Sequence, residues 1–169
     1  MEQLMQYDTL NFSEAVNRAT NRIFQLTGRA RRSEYWWTIL LVFIVSMAVP
    51  FAAIVLNLLT IPLTFRRLHD TGRSGWWWGV RFVGYFIFVC LSIGDILDML
   101  IAVPSLNLFL EQFYSFAIKQ LFWMIGFVVY HIVFIVILCL DGDQGINEYG
   151  ESEKYFIEVT GEEKLNNNV

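Results

Sequence analysis

The chain of 169 residues is rich in apolar side chains (56%) and poor in charged ones (17%), against about 45–50% and about 25% in soluble proteins. This composition excludes a soluble domain, whose interior would be too small for so much apolar surface, and also excludes a disordered chain. The net charge of −4 conceals an asymmetry, because residues 1–81 carry nine Arg and five acidic residues, whereas residues 82–169 carry three Lys and eleven acidic residues. Such asymmetry predicts a basic part held near an anionic surface or partner.

The first predicted element is an amphipathic helix within residues 1–28. Its apolar residues recur at spacings of three and four, and Gly28 ends the pattern. Such a helix either lies in the membrane interface or packs on the protein's own end, and the sequence favours neither. No apolar segment of signal-peptide length precedes the first long apolar run, so we expect that run to act as its own insertion signal. The apolar positions are Phe12, Val16, Ala19, Ile23 and Leu26.

Three long apolar runs follow, and a helix needs about 20 such residues to cross a membrane. The first span is predicted at about residues 36–59, the second at about 77–100 and the third at about 120–140. Cys90 and Cys139 lie inside these runs and are interpreted as small apolar residues rather than redox partners. Aromatic residues at the starts of the first two spans are typical interface anchors. They are Tyr35, Trp36, Trp76 and Trp77.

Three short polar segments at the ends of these runs contain the candidate functional residues. The arginines among them are expected to contact anionic lipid headgroups, acidic residues of the same chain, or a partner, and each gains about 1 kcal/mol near an anionic membrane surface. The candidates are Arg29 and Arg32 in the first segment, Arg66, Arg67, His69, Asp70 and Arg73 in the second, and Gly145, Asn147, Tyr149 and Gly150 in the third.

Together these segments resemble the bacterial inner-membrane family known as domain of unknown function 805. Its pattern is a Gly-Arg-x-x-Arg-x-x-Tyr-Trp entry, an Arg-Arg-Leu-His-Asp box leading into Ser-Gly-Trp-Trp, and a closing Gly-x-Asn-x-Tyr/Phe-Gly. The resemblance covers roughly residues 22–152 and implies a small multi-pass inner-membrane protein without implying an activity. One departure is that the family often holds two spans between the entry motif and the box, where this chain has one uncharged run of 31 residues, 35–65.

The uncharged run at residues 35–65 allows two topologies. The positive-inside rule places both arginine-rich segments in the cytoplasm, whereas a single crossing puts them on opposite sides. A hairpin turning near Ser46 to Pro50 would return to the same side, but arms of about 15 residues reach only about 22 Å of the ~30 Å required. Charge therefore favours a re-entrant hairpin and length favours one crossing. We expect one crossing, and three spans in all.

Several ionisable residues have both a chemical and a structural interpretation. His69 beside Asp70 suggests acid–base chemistry or a metal site, but no second His or Cys stands at ligand spacing, so a structural role is favoured. His131 is interpreted as a hydrogen-bonding group within the bundle rather than a proton relay. Asp95 and Asp98 are interpreted as marking the outer end of the second span rather than a cation path.

The sequence thus predicts an all-α fold: a polytopic membrane helical bundle with about three transmembrane helices and an N-terminal amphipathic helix. Residues 1–28 form the polar N-terminal segment, 29–150 the membrane domain, and 151–169 an acidic mobile tail. The leading functional hypothesis is a non-enzymatic inner-membrane module that is structural, contacts anionic lipids, or binds a protein partner. The alternative is a small oligomeric transporter or channel whose polar path is lined by Asp95, Asp98 or His131. An intramembrane enzyme using His69 and Asp70 ranks third, and no cofactor, metal or nucleic acid is predicted.

Overall fold

The computed structural model describes residues 2–159, and these fold into six helices and two short strands. By contacts the chain divides into two units: unit 1 comprises Met1–Gly75 with Leu138–Val169, and unit 2 is Trp76–Ile137. In chain order the elements are β1 (Glu2–Gln6), α1 (Phe12–Asn21), α2 (Arg32–Ala48), α3 (Pro50–Leu59), α4 (Ile61–Asp70), α5 (Trp76–Ala102), α6 (Leu106–Cys139) and β2 (Tyr155–Val159).

The predicted helical membrane fold is confirmed. Among the described residues, α5 and α6 are each long and apolar enough to cross a membrane, and α3 with α4 qualifies as a third span if this pair, bent by 41°, is counted as one. The second predicted span matches α5 closely. The third occupies only the second part of α6, which begins at Leu106 and contains 34 residues.

The N-terminal helix α1 packs its apolar face against α2. Asn11 and Glu14 form a reciprocal capping box at its start, with the Asn11 Oδ1 atom accepting from the Glu14 backbone N–H at 2.9 Å. Ala15 and Ala19 are buried, and these small residues let the two helices approach closely. The helix thus shows the packing that one of its two interpretations predicts, and contact with the membrane interface stays a prediction.

The uncharged run at residues 35–65 is a helical hairpin, which differs from the single crossing expected at about 36–59. The chain breaks at Val49, where Pro50 begins α3, and α3 packs back against α2. Glu34 at the start of the run and Arg66 at its end form an ion pair at 2.9 Å. The two ends of the run therefore lie next to each other.

Unit 2 is an antiparallel pair of helices, α5 and α6, joined by a short turn. Their contacts are largely aromatic, with the Phe88 ring centroid 5.9 Å from that of Phe127. Polar contacts stand further along the pair, where Lys119 Nζ lies 2.6 Å from Asp95 Oδ1. The pair is therefore held by side-chain contacts between α5 and α6 in addition to each helix's own backbone hydrogen bonds.

A small antiparallel sheet was not anticipated from the sequence. Strands β1 and β2 pair with Leu4 opposite Ile157, and each has five residues. The predicted tail at 151–169 thus contains a strand, Tyr155–Val159, while residues 160–169 lie outside the described part of the chain. The division into domains at 28 and 150 stays a prediction.

Candidate functional site

The three polar segments meet in unit 1 around one aspartate. Asp70, at the end of α4, accepts a hydrogen bond on Oδ1 from Arg29 Nε at 2.9 Å, and its Oδ2 accepts one from Arg67 Nη1. All three side chains are buried, with 2% of Arg29 and none of Arg67 exposed. We call Arg29, Arg67 and Asp70 the arginine–aspartate cluster. Its two cations and one anion leave a positive charge that the surrounding backbone must solvate.

Backbone carbonyls of the third polar segment, residues 142–150, solvate Arg29, and we call this segment the closing loop. Its Nη1 donates to the carbonyl oxygens of Gly145 at 2.7 Å and Gly150 at 3.3 Å, and its Nη2 donates to that of Asp143. The backbone also joins the segments directly, because Asp143 N–H donates to the Asp70 carbonyl oxygen at 2.8 Å. Arg29 therefore fixes the closing loop to the end of α4.

Carbonyls at the C-terminal end of α6 solvate Arg67. Its Nε donates to the Leu138 carbonyl oxygen at 3.0 Å, and its Nη2 donates to that of Leu140. The last carbonyls of a helix have no partner within the helix, and a cation there also interacts favourably with the helix dipole. Arg67 thus caps the end of α6 while its charge is shared with Asp70.

A second buried ion pair lies beside the cluster. Arg66 and Glu34 are fully buried, and Arg66 Nη1 donates to Glu34 Oε1 at 2.9 Å. Within residues 2–159, Arg66 Nε, Arg66 Nη2 and Glu34 Oε2 have no hydrogen-bond partner. The Arg66 carbonyl oxygen also accepts from Ala30 N–H at 3.1 Å. Burial of an ion pair is costly without further hydrogen bonds, so the lost hydration offsets much of the attraction between Arg66 and Glu34.

His69 is a packing and hydrogen-bonding residue. Its ring stacks on Tyr149 with the centroids 3.8 Å apart and the planes at 1°. Its Nδ1 lies 3.2 Å from the Gly28 carbonyl oxygen, and since a carbonyl only accepts, Nδ1 carries the proton. Asn147 Nδ2 donates to the His69 carbonyl oxygen at 2.9 Å. His69 thereby contacts both the first and the third segment.

Glycine allows the closing loop to pass close to Asp70. A Cβ atom added at Gly142 would overlap the Asp70 carboxylate, and one added at Gly72 would lie 2.9 Å from Asp143 Oδ2. Gly72 also has a φ angle of +66°, which other residues rarely adopt. Gly72 and Gly142 therefore belong to the site, whereas the glycines predicted from the sequence were Gly145 and Gly150.

An exposed set of charges surrounds the buried cluster. Asp141 accepts from Lys154 Nζ at 2.6 Å and from the Tyr155 hydroxyl at 2.9 Å, and Arg32 lies 3.4 Å from it. Desolvation acts to raise the pKa of Asp141, but the hydrogen bonds from Lys154 and Tyr155 outweigh it and lower that pKa. Desolvation acts to lower the pKa of Lys154, but the hydrogen bonds to Asp141 and Tyr155 outweigh it, and the pKa of Lys154 is raised.

Acidic residues of the second half of the chain therefore meet arginines of the first half within unit 1. Glu153 pairs with Arg18 at 3.3 Å and also with Arg22. Arg31 is buried, and this desolvation lowers its pKa, although its Nη1 donates to the Asp8 carbonyl oxygen at 3.0 Å. The sequence asymmetry in charge is the signal that could have located Glu153.

The remaining predicted residues lie outside this cluster. Arg73 is half-buried and donates to the Thr71 carbonyl oxygen at 3.1 Å. In unit 2, Asp95 is paired with Lys119, Asp98 is exposed, and His131 Nδ1 bonds its own helix at the Phe127 carbonyl oxygen, 2.7 Å away. Of the interface anchors Tyr35 is buried, and the exposed ones are Trp36, Trp76 and Trp77.

The arrangement joins backbone segments that are distant in the chain. Residues 2–159 contain no group of three or more His, Cys, Asp or Glu side chains that could hold a metal ion. Both oxygens of the cluster's carboxylate already accept hydrogen bonds from guanidinium groups. Sequence reasoning missed Glu34, Gly142 and Asp143 as parts of the site, because their roles depend on contacts between distant segments.

The fold and the buried cluster define a helical membrane protein in which arginines join the ends of its apolar helices. The chain belongs to the family described as "protein of unknown function (DUF805)", whose family model matches residues 48–151. That match contains the second and third polar segments and confirms the resemblance noted in the sequence. Searches of curated proteins and of solved structures found no significant match.

Proposed function

We propose that the protein is a non-enzymatic module of the bacterial inner membrane whose role is structural and lipid-contacting. The observation that supports this proposal is that the charged side chains of the sequence motifs contact other parts of the same chain. Arg29, Arg67 and Asp70 bind one another and the chain's own carbonyls, and they are buried. Residues that bind a substrate must be accessible to it, whereas residues that stabilise a fold can be buried.

The burial pattern divides the arginines into two groups. Arg66 and Arg67 are fully buried, so their contacts are with acidic groups and carbonyls of the same chain rather than with headgroups. Arg32 keeps 45% of its side chain exposed, and Arg73 is half-buried. These two lie at the ends of apolar helices, where a cation next to an anionic membrane surface gains about 1 kcal/mol. We assign contact with anionic lipid to them.

Reconstitution into vesicles of stated composition tests this division. Resistance to unfolding would be measured in phosphatidylcholine vesicles containing increasing fractions of phosphatidylglycerol, at low and high salt. Phosphatidylglycerol should stabilise the wild type in a salt-dependent way, and the double variant Arg32→Gln, Arg73→Gln should lose most of that response. Arg66→Gln is the matched control, because it should lower the stability at every composition but keep the response. An unchanged response in the double variant would contradict the proposal.

A transporter or channel is the second candidate, and polar contacts within unit 2 favour it. Lys119 pairs with Asp95, and Gln120 Nε2 donates to Ser92 Oγ at 3.0 Å. A polar path through apolar helices requires such groups, and several copies of the chain would have to surround it. The test is cation or proton flux into proteoliposomes, which Asp95→Asn should abolish while Glu111→Gln leaves it intact. Absence of flux across a range of pH and cations would remove this candidate.

A further inference from the structure

Unit 2 contains an elongated groove between α5 and α6 with a volume of about 700 Å³. Its walls are mostly aromatic and aliphatic, with only a few polar groups. Binding sites for small molecules are typically apolar concavities of this size in which a few polar groups fix the ligand's orientation. The lining of the groove includes Arg81, Tyr85, Phe88, Gln120, Met124 and Phe127.

Arg81 gives one end of the groove a positive charge. Its guanidinium lies 5.3 Å from the centroid of the Trp78 ring, and among residues 2–159 it has no acidic partner within ion-pair distance. The other cation of unit 2, Lys119, is by contrast paired with Asp95. An unpaired cation beside an apolar groove favours an occupant that combines a negative charge with a hydrocarbon chain.

The position of Arg81 along α5 indicates the level of lipid headgroups. Trp76, Trp77 and Trp78 form the first turn of α5, and tryptophan is enriched at the interface between membrane and water. Arg81 follows within the next turn. A phosphate bound there would lie at the depth that phospholipid phosphates normally occupy.

The length of the groove suits one acyl chain. It extends from Arg81 to Gln120, which bonds Ser92 on α5. Eleven residues of helix separate positions 81 and 92, which corresponds to about 16 Å at ~1.5 Å per residue. This is about half of the ~30 Å hydrocarbon thickness and therefore the depth of one membrane leaflet.

We propose that this groove is a binding site for an anionic phospholipid, with the phosphate at Arg81 and one acyl chain against Tyr85, Phe88 and Phe127. A net negative headgroup is preferred over a zwitterionic one, because the zwitterionic headgroup brings its own cation to a site that already has one. The inference rests on the proposed lipid-contacting function and adds to it a defined site, distinct from the headgroup contacts assigned to Arg32 and Arg73.

Native mass spectrometry of the delipidated, detergent-solubilised full chain tests the site. Phosphatidylglycerol and phosphatidylcholine with the same acyl chains are added separately, and the lipid bound per protein is counted. The wild type should retain one phosphatidylglycerol with a preference of about five- to tenfold, which corresponds to the advantage of about 1 kcal/mol that Arg81 gives a net negative headgroup over one with its own cation. Arg81→Gln should remove the preference and Arg81→Lys should retain it. Lys119→Gln is the matched control and should behave as the wild type does.

A second variant tests the groove independently of charge. Met124→Trp should fill the groove and lower the binding of both lipids, and circular dichroism verifies that the variants remain folded. Equal retention of the two lipids by the wild type, or a preference that survives Arg81→Gln, would overturn the proposal. Stronger retention of oleate than of phosphatidylglycerol would overturn the phospholipid assignment in favour of a free fatty acid. Because Arg32 and Arg73 are unchanged in these variants, failure of this site is distinguishable from failure of the proposed function.

Discussion

Replacing Asp70 with asparagine removes the one carboxylate that two buried arginines share. Asparagine has nearly the same shape, so the change leaves no cavity and isolates the loss of charge. Arg29 and Arg67 would remain buried with carbonyl partners but without a counterion. Breaking a buried ion pair by removing one partner typically costs about 3–5 kcal/mol, because a buried charge is left uncompensated. We expect Asp70→Asn to lower the free energy of unfolding by that amount.

The assay is unfolding in mixed micelles by titration with sodium dodecyl sulfate, followed by circular dichroism. Asp141→Asn is the matched control: it removes a carboxylate from the same unit, but one that is 41% exposed, where an ion pair contributes about 0–1 kcal/mol. The double variant Asp70→Asn, Arg67→Met should be destabilised by less than the sum of its two single variants. Each single variant leaves the partner's charge buried and unpaired, and the double variant removes both charges of that pair. Equal effects of Asp70→Asn and Asp141→Asn would refute the role of the cluster.

The other predictions concern the closing loop and the ion pair of Asp141 and Lys154 beside β2. Gly142→Ala should destabilise the chain by about 1–3 kcal/mol, as overpacking does, because its Cβ would overlap the Asp70 carboxylate; Gly145→Ala, which meets nothing within 4 Å, is its control in the same titration. The pairing of β2 should also depend on pH. The contribution of Asp141 to stability is fully present above its ordinary pKa of 3.8, and it is lost as the pH falls through its lower pKa in the folded chain. The contribution of Lys154 to stability is fully present below its ordinary pKa of 10.5, and it is lost as the pH rises through its raised pKa in the folded chain.

Amide hydrogen exchange in β2, compared with an unfolded peptide at each pH, measures the pH dependence. Lys154→Met should flatten both limbs of the profile, since it removes the hydrogen bond that opposes desolvation of Asp141. A profile that is flat in the wild type would contradict this account of the two groups. For the glycines, equal destabilisation by the alanine substitutions at 142 and 145 would show that closeness to Asp70 is not the cause.

The membrane helices could be predicted from the sequence because their signals are local. A run of apolar residues identifies α5 and α6 wherever the chain folds, and the capping residues at Asn11 and Glu14 mark the start of α1. The turn at Val49 and Pro50 was visible as an alternative. The length argument against a hairpin divided the uncharged run into two equal arms, each too short to cross a membrane. In the structure α3 is followed directly by α4, so the second arm contains 20 helical residues, 10 in each helix.

The site was recognisable as a set of residues but not as a cluster. The sequence shows Arg29 and Arg67 at helix ends, which is equally consistent with headgroup contact and with burial. Their partners are mostly carbonyls at Leu138, Leu140 and Gly145, and a carbonyl carries no sequence signal. The strands β1 and β2 were missed for a related reason: each is only five residues long and its partner lies about 150 residues away.

Unit 1 is built from two stretches of chain that are synthesised at different times. At about 5–20 residues per second, the 62 residues of unit 2 (76–137) separate them by about 3–12 s. During this interval Arg29 and Arg67 have Asp70 but none of their carbonyl partners from Leu138 onward. Until the segment after Ile137 emerges, the two arginines therefore share one carboxylate and lack these carbonyl partners. A chain that stops before residue 138 would therefore leave Arg29 and Arg67 without their carbonyl partners at Leu138 and Gly145.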